Sequence, residues 1–316
     1  MKSITIGKND AGQRLDRFLL KAFPALPSGM CAKFIRTKAI KLNGKRAEGN
    51  TRLAEGDEIS LYIQDRFLTT AGDKDDYLVS GKLPNILYED DHIILAVKEA
   101  GLSVHEDETK NPDTLINRIK YHCLTTGSWN PDAEASFSPA LCNRIDRNTG
   151  GIVIAAKTAE ALRDMNEIIR IRDIDKYYLC LVHGVPNEKG TLKGYLKKLE
   201  DENRVIVRDK PFEGAKTAIT EYRRLATKNG LSLCECHLIT GRTHQIRAQM
   251  AHAGFPLFGD GKYGTERSRR KHQALFSYKL VFTLSNYDGV LSYLKGKVFT
   301  VNNVDFAGEY FPDMKY

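Results

Sequence analysis

Apolar residues recur at helical spacing at Leu15, Phe18 and Leu19 within Ala11–Leu20, which predicts a helix near the start of the chain. A second short helix is predicted from Met30 to Thr37. Two short strands follow, within Ile40–Lys45 and Gly56–Ile63, and Asn43-Gly44 is a tight-turn signal between short strands. Residues 64–85 sustain no period and carry Thr69-Thr70-Ala71-Gly72-Asp73-Lys74-Asp75-Asp76, so they read as a mobile linker. From Ile86 the pattern is mixed. Strands are expected near Ile93–Val97, Ile152–Ala156, Tyr177–Val182, Ile219–Leu225, Leu231–Leu238 and Lys279–Thr283. A helix is predicted from Thr158 to Ile171, with Ala159, Leu162, Met165, Ile168 and Ile169 on one face, and another from Gln245 to Ala253. Strands and helices do not alternate regularly, so the fold class is α+β and not a doubly wound parallel sheet. The expected organisation is a small α/β module over 1–63, a linker over 64–85 and a large domain over 86–316.

Charge changes this picture. The net charge is +8, and residues 1–63 hold seven Lys and five Arg against three Asp and three Glu. Most of the excess therefore sits in the first fifth of the chain. Lys33, Arg36, Lys38, Lys41, Lys45 and Arg46 cluster on one helix-turn-strand unit, which favours a phosphate-facing surface over a merely solvated face. No run approaches the roughly 20 apolar residues needed to span a bilayer, and the start has no apolar signal core. The protein is expected in the cytoplasm, away from membranes. Six scattered cysteines suit small core hydrophobes in a reducing compartment. Cys234-Glu235-Cys236-His237 is spaced too tightly for a zinc site, and strand alternation puts the two thiols on one face with Glu235 and His237 on the other. No metal is expected. Walker and Gly-x-Gly-x-x-Gly patterns are absent, so no nucleotide cofactor is expected either.

The chemistry concentrates in two tracts. Arg144-Ile145-Asp146-Arg147-Asn148-Thr149-Gly150-Gly151 sets a carboxylate between two arginines in a turn that runs into an apolar strand. The flanking charge favours an ionised Asp146, and the two glycines would let a large substrate approach the backbone. Taken alone, a turn aspartate bonding its own backbone is an equal reading. Far downstream lies Thr240-Gly241-Arg242-Thr243-His244-Gln245-Ile246-Arg247.

Together these tracts resemble the motifs of the RluA-type pseudouridine synthases, His-Arg-Leu-Asp-x-x-Thr-Ser-Gly and Gly-Arg-x-His-Gln-Ile/Leu-Arg. Asn143 stands for the family's His, Ile145 for its Leu and a glycine for its Ser, while the Arg and the Asp are kept. A family Lys-x-Tyr before an apolar strand matches Lys176-Tyr177-Tyr178, and Val97-Lys98-Glu99-Ala100-Gly101 is a weaker match to Asn-Lys-Pro-x-Gly. The resemblance covers about residues 86 to 290. The layout of residues 1–63 is similar to the RNA-binding module named after ribosomal small-subunit protein four, which commonly precedes the catalytic domain in this family.

The resemblance implies a pseudouridine synthase fold with a mixed, largely antiparallel sheet, and an isomerase that needs no oxidant, metal or energy source. The reaction breaks the base-to-sugar bond of uridine and rejoins the base through carbon 5. Asp146 would be the carboxylate at the sugar, Arg247 its ion partner and Tyr178 the ring against the base. Strand alternation sends Tyr177 to the opposite face from Tyr178. Arg144 would fill the space vacated by a flipped uridine and hold phosphate, and Arg242 and His244 would contact the RNA chain or support the site. Glu266-Arg267-Ser268-Arg269-Arg270-Lys271 is a basic loop that either touches RNA or is solvated. The implied substrate is ribosomal RNA of the large subunit, bound by a monomer. The alternatives are transfer RNA as substrate, or a non-catalytic RNA-binding or ribosome-assembly protein. An Asp–His hydrolase lacks a nucleophile elbow.

Overall fold

The structure is a computed structural model that describes residues 1–68, 76–106, 111–199, 204–264, 270–285 and 287–316. The first part of the basic loop Glu266–Lys271 therefore lies outside the described residues.

The N-terminal unit is built from β1 (Lys2–Thr5), α1 (Leu15–Ala22), α2 (Ser28–Arg36), β2 (Ile40–Leu42) and β3 (Glu58–Leu61). Its sheet runs β1-β3-β2, all antiparallel. The predicted helical stripe is the core: Leu15, Phe18 and Leu19 are fully buried against Cys31, Ile35, Ile40 and Ile59. Asn43 and Gly44 take φ of 50° and 71°, the left-handed pair that a tight hairpin turn needs. That turn closes Leu42 onto Lys45, and only after a longer excursion does the chain return as β3 beside β2.

The segment expected as a linker is partly structured. A helix, α3 (Asp76–Ser80), buries Tyr77, whose ring meets Trp129 edge-on at 5.6 Å. Lys82 pairs with Asp113 at 2.8 Å. The chain thus joins the large core before residue 86, because Tyr77 and Trp129 need each other to stay dry.

The large unit continues with β4 (Ile86–Glu89), β5 (Ile93–Lys98), α4 (Leu115–Thr125), β6 (Ala140–Leu141), β7 (Gly150–Ala156), α5 (Ala159–Ile171), β8 (Ile174–His183), β9 (Lys189–Leu199), β10 (Arg204–Arg208), β11 (Lys216–Lys228), β12 (Leu231–Leu238), α6 (Gln245–His252), β13 (Leu275–Phe282), β14 (Val298–Thr300) and α7 (Asp305–Tyr310). One sheet runs β10-β9-β11-β12-β8-β13-β7-β5-β4, with β14 on β13 and β6 on β7. β13 and β7 are parallel, and the other neighbouring strands of this sheet are antiparallel. The mixed, largely antiparallel α+β sheet is as expected. β13 starts at Leu275, earlier than the expected Lys279, because Leu275 and Ser277 face the core while Phe276 is half-buried. The sheet is covered on both faces. Leu115, Ile119 and Cys123 of α4 and Ile246 and Met250 of α6 pack on one side with Tyr178, Cys180 and Cys234. Met165 and Ile168 of α5, and separately Phe306 and Ala307 of α7, cover the other.

The predicted strand polarity at 234–237 holds. Cys234 and Cys236 are buried in the core, while Glu235 bonds Tyr278 and Lys279 and His237 stacks on Tyr177 at 4.5 Å. Among the described residues no cluster of His, Cys, Asp or Glu is arranged to hold a metal ion. No described helix is long and apolar enough to cross a membrane.

Candidate active site

The Asp146 turn leads into β7 and is tied down from four sides. The Asn143 side chain accepts the Ile154 N–H at 2.8 Å, and the Thr149 N–H closes back on the Asp146 carbonyl at 3.0 Å. Gln273 donates to the Thr149 hydroxyl at 3.1 Å. The Arg147 carbonyl accepts from the Gly101 N–H at 2.9 Å and from Lys98 Nζ at 2.8 Å.

The two glycines that end the turn do not make room for a substrate. They lie in β7, against β13. A Cβ on Gly151, where φ is +119°, would sit 2.3 Å from the Ser277 carbonyl oxygen, and one on Gly150 would sit 2.7 Å from the Phe276 ring. Close strand packing, not RNA, requires glycine there.

Helix α6 is unusual in having polar residues buried among apolar ones, and each long polar side chain has a partner. Gln245 Nε2 donates to the Ile219 carbonyl at 3.0 Å and to the Thr220 hydroxyl at 2.9 Å. Gln249 accepts from Thr220 at 2.7 Å and donates to the Leu192 and Ala218 carbonyls. The helix is thereby pinned to β9 and β11 by hydrogen bonds as well as by packing, which sets the height of Arg247.

Arg247 Nη1 donates to Asp146 Oδ2 at 2.8 Å. Its Nε and Nη2 form a fork on Asp260, at 2.7 and 2.9 Å. The Asp260 side chain is fully buried, and Arg247 nearly so. One guanidinium thus joins two carboxylates. Burial lowers the pKa of Arg247, but Asp260 first and then Asp146 more than reverse this, so it stays charged. Burial raises the Asp260 pKa, but Arg247 and the N–H groups of Lys262 and Tyr263 outweigh it and hold it below the usual carboxylate range. Tyr263 lies under Arg247, 5.2 Å from ring centre to guanidinium carbon, and its hydroxyl is 2.9 Å from His244 Nδ1. His244 takes a left-handed φ of 53° just before α6, which turns Nε2 to within 3.8 Å of Asp146 Oδ2. Burial is the main influence on His244 and lowers its pKa, which favours a neutral ring.

Tyr178 and Tyr177 point to opposite faces, as alternation requires. Tyr178 is buried on the α6 side of the sheet, and Tyr177 stacks on His237 on the other. Burial drives the Tyr178 phenol up to about 12; a Ser277 hydrogen bond pulls it down and the Asp146 charge pushes it further up. The hydroxyl is therefore neutral near neutral pH.

The structure thus brings Asp146, Tyr178, Arg247 and His244 together. Arg144 is exposed beside Asp146, and Arg242 is exposed with Nε on the Thr217 carbonyl at 3.1 Å. Lys33, Arg36, Lys38, Lys45 and Arg46 are exposed on the N-terminal unit, and Lys41 is half-buried with its ammonium 5.3 Å from the Tyr62 ring centre. Three contributors were not read from the sequence. Asp260 and Tyr263 lie in Gly259-Asp260-Gly261-Lys262-Tyr263-Gly264, where an acid and an aromatic inside a glycine-rich turn are the signal available. Lys98 lies in the weaker motif match, which implies no role for it.

The mixed sheet, the aspartate turn and the helix-borne arginine are those that the resemblance to RNA-modifying isomerases implies, and comparison with known proteins agrees. Residues 92–252 match the family described as RNA pseudouridylate synthase, and residues 13–59 match the S4 domain. The chain is 36% identical over 290 residues to an uncharacterised RNA pseudouridine synthase of Mycoplasma genitalium, covering 88% of each chain. It is 34% identical to the ribosomal large subunit pseudouridine synthase C of Buchnera aphidicola, over 84% of this chain and 81% of that one. Human RNA pseudouridylate synthase domain containing 4 shares the fold at a TM-score of 0.57 and 18% identity, over 73% of this chain and 93% of that one. This chain belongs to the RNA pseudouridylate synthase family. It is an isomerase acting on RNA, with an S4 domain at its N-terminal end.

Proposed function

We propose that this protein converts specific uridines of large-subunit (23S) ribosomal RNA to pseudouridine, with Asp146 as the carboxylate that acts on the sugar. The supporting observation is the shared guanidinium: Arg247 meets Asp146 at 2.8 Å while Asp260 holds its other two nitrogens. That arrangement orients Asp146 and keeps a positive charge beside it, as an anionic sugar-directed group requires. Tyr178 packs against the uracil once the uridine is flipped out, at a cost of a few kcal/mol. A neutral phenol suits a ring that holds the free base while it turns. Arg144 and Arg242 take the neighbouring phosphates, and the exposed cations of the S4 domain, from Lys33 to Arg46, hold a more distant stretch of RNA. The ribosomal target is supported by the named activities of the relatives from Buchnera aphidicola and from Xanthomonas campestris, the latter a ribosomal large subunit pseudouridine synthase D. The enzyme acts in the cytoplasm as a monomer.

The test maps pseudouridines in ribosomal and transfer RNA of cells with the protein, without it, and with Asp146→Asn. Large-subunit sites should vanish in the last two, and the purified variant should still bind RNA. Loss confined to transfer RNA would overturn the target. Substantial turnover by Asp146→Asn would overturn the role of Asp146.

A further inference from the structure

The S4 domain carries a recess between α2 and the chain following the Asn43-Gly44 turn, with a volume of about 240 Å³. It is smaller than the roughly 300–1,000 Å³ of sites for drug-sized molecules, and suits one planar heterocycle. Ile35 and Ala47 give it an apolar floor, Arg36 and Arg46 stand at its rim, and Asp16 and Glu48 supply carboxylates. We propose that this recess captures a single unpaired guanine of the RNA substrate. The proposal rests on RNA being the substrate, and extends that reading to a second recognition point outside the catalytic cleft.

The chemistry selects the occupant. Phosphate is repelled from the interior by the two carboxylates, while the rim arginines attract the phosphates on either side of a splayed-out nucleotide. No ion pair engages Arg36 or Arg46 among the described residues, and both are exposed. Asp16 is prepared as an acceptor. Arg14 grips it at 3.1 and 2.6 Å, and the Arg17 N–H donates to it at 2.7 Å. The Arg14 hydrogen bond is the main reason its pKa is lowered. An ionised carboxylate has about four acceptor positions; two on Oδ1 and one on Oδ2 are taken, so Asp16 keeps one, on Oδ2. Among the four bases, guanine alone presents two adjacent N–H donors on its pairing edge, and so matches two acceptors, the remaining Asp16 position and the Glu48 carboxylate. Adenine and cytosine set a donor beside an acceptor, and uracil sets one N–H between two carbonyls. The apolar floor receives the base face, and an arginine plane can stack on the other.

The experiment measures affinity of the full-length protein for an oligouridylate of about a dozen nucleotides, with and without one central guanosine, across a salt series. Wild type should prefer the guanosine probe by about tenfold, the scale of one good base contact. Ala47→Phe, which fills the recess, should abolish the preference while leaving the all-uridine affinity unchanged, and Asp16→Asn, which replaces an acceptor by a donor and releases Arg14, should abolish the preference while raising the affinity for both probes. Arg36→Gln should weaken both probes and lower the salt slope. Absence of a preference in wild type, or its persistence in both Ala47→Phe and Asp16→Asn with melting confirmed, overturns the proposal. Pseudouridine formation on the same preparations is read separately, so failure of the enzymatic reading is distinguishable from failure of the base site.

Discussion

A buried ammonium is tolerable only where acceptors surround it, and Lys98 shows what such a group can hold together. It is 1% exposed, and its Nζ donates to the carbonyls of Glu99, Leu102 and Arg147 at 2.9, 2.8 and 2.8 Å. Burial pushes its pKa down to about 7, and the nearby Asp146 carboxylate opposes that shift. Lys98 is a positioning residue, because it holds the peptide next to Asp146 and not the substrate. Lys98→Met keeps the stem and removes three donors, so it should cost about 2–4 kcal/mol in stability. Single-turnover rate should fall more than RNA affinity, and a purely structural role would move melting alone. Tyr178 supports a pH prediction. A phenol raised to about 12 is favoured neutral in the folded state, so its contribution to stability is full below its ordinary pKa and is lost as pH rises through about 12. Tyr178→Phe should therefore show a pH–rate profile of the same shape as wild type from about pH 6 to 9. An alkaline limb missing only from Tyr178→Phe would show that the phenol titrates during turnover.

At the scale of elements, helix α6 and the β7–β13 contact decide whether the site exists. Gly151→Ala drives a Cβ to 2.3 Å from the Ser277 oxygen at a φ of +119°, so it should cost roughly 3 kcal/mol or more, read from the urea midpoint. Gly241→Ala is the matched control, with nothing within 4 Å, and should stay within about 0.5 kcal/mol. These elements differ in how far the sequence disclosed them. The 159–171 helix was legible because an apolar stripe and Thr158, which accepts the Ala161 N–H at 3.1 Å, mark its face and its start. The motif arginine at 247 was legible from its neighbours, but its second partner was not, since Asp260 carries no periodic signal. Helix α4 was missed. Its buried face includes Asn117, bonded to the Pro112 carbonyl at 2.8 Å, which breaks the apolar stripe. The β9–β10 hairpin was also missed, because Lys193, Lys197 and Lys198 give β9, the strand next to the sheet edge, the composition of a solvated loop.

For the whole molecule, the S4 domain and the large unit meet through polar contacts that no periodicity foretells. Asn9 donates to Glu134 at 2.6 Å, Gln13 to Ser136 at 3.1 Å, and Ser136 to the buried Asp10 at 2.5 Å. Ala135 packs against the core of the small domain, and Lys21 lies 5.9 Å from the Phe137 ring centre. Removing residues 1–63 should flatten the salt dependence of RNA affinity by about one unit of slope per lost phosphate contact. It should leave turnover measurable at saturating enzyme on a short target, since Asp146, Tyr178 and Arg247 all remain. An unchanged salt slope would show that the domain does not grip phosphate. Total loss of turnover in a folded truncation would show that it helps build the cleft.

One of those contacts makes the boundary less clean than a deletion assumes. The Asn9 side chain accepts the N–H of Ala159 at 3.1 Å, at the first turn of α5. A helix of the catalytic unit thus borrows part of its cap from the RNA-binding one. The small domain behaves as an intramolecular ligand, bound at the high effective concentration that a short connection confers. On the proposed function, RNA held by its cationic face would be presented at a set reach from Asp146, as a workpiece held in a jig rather than on a leash.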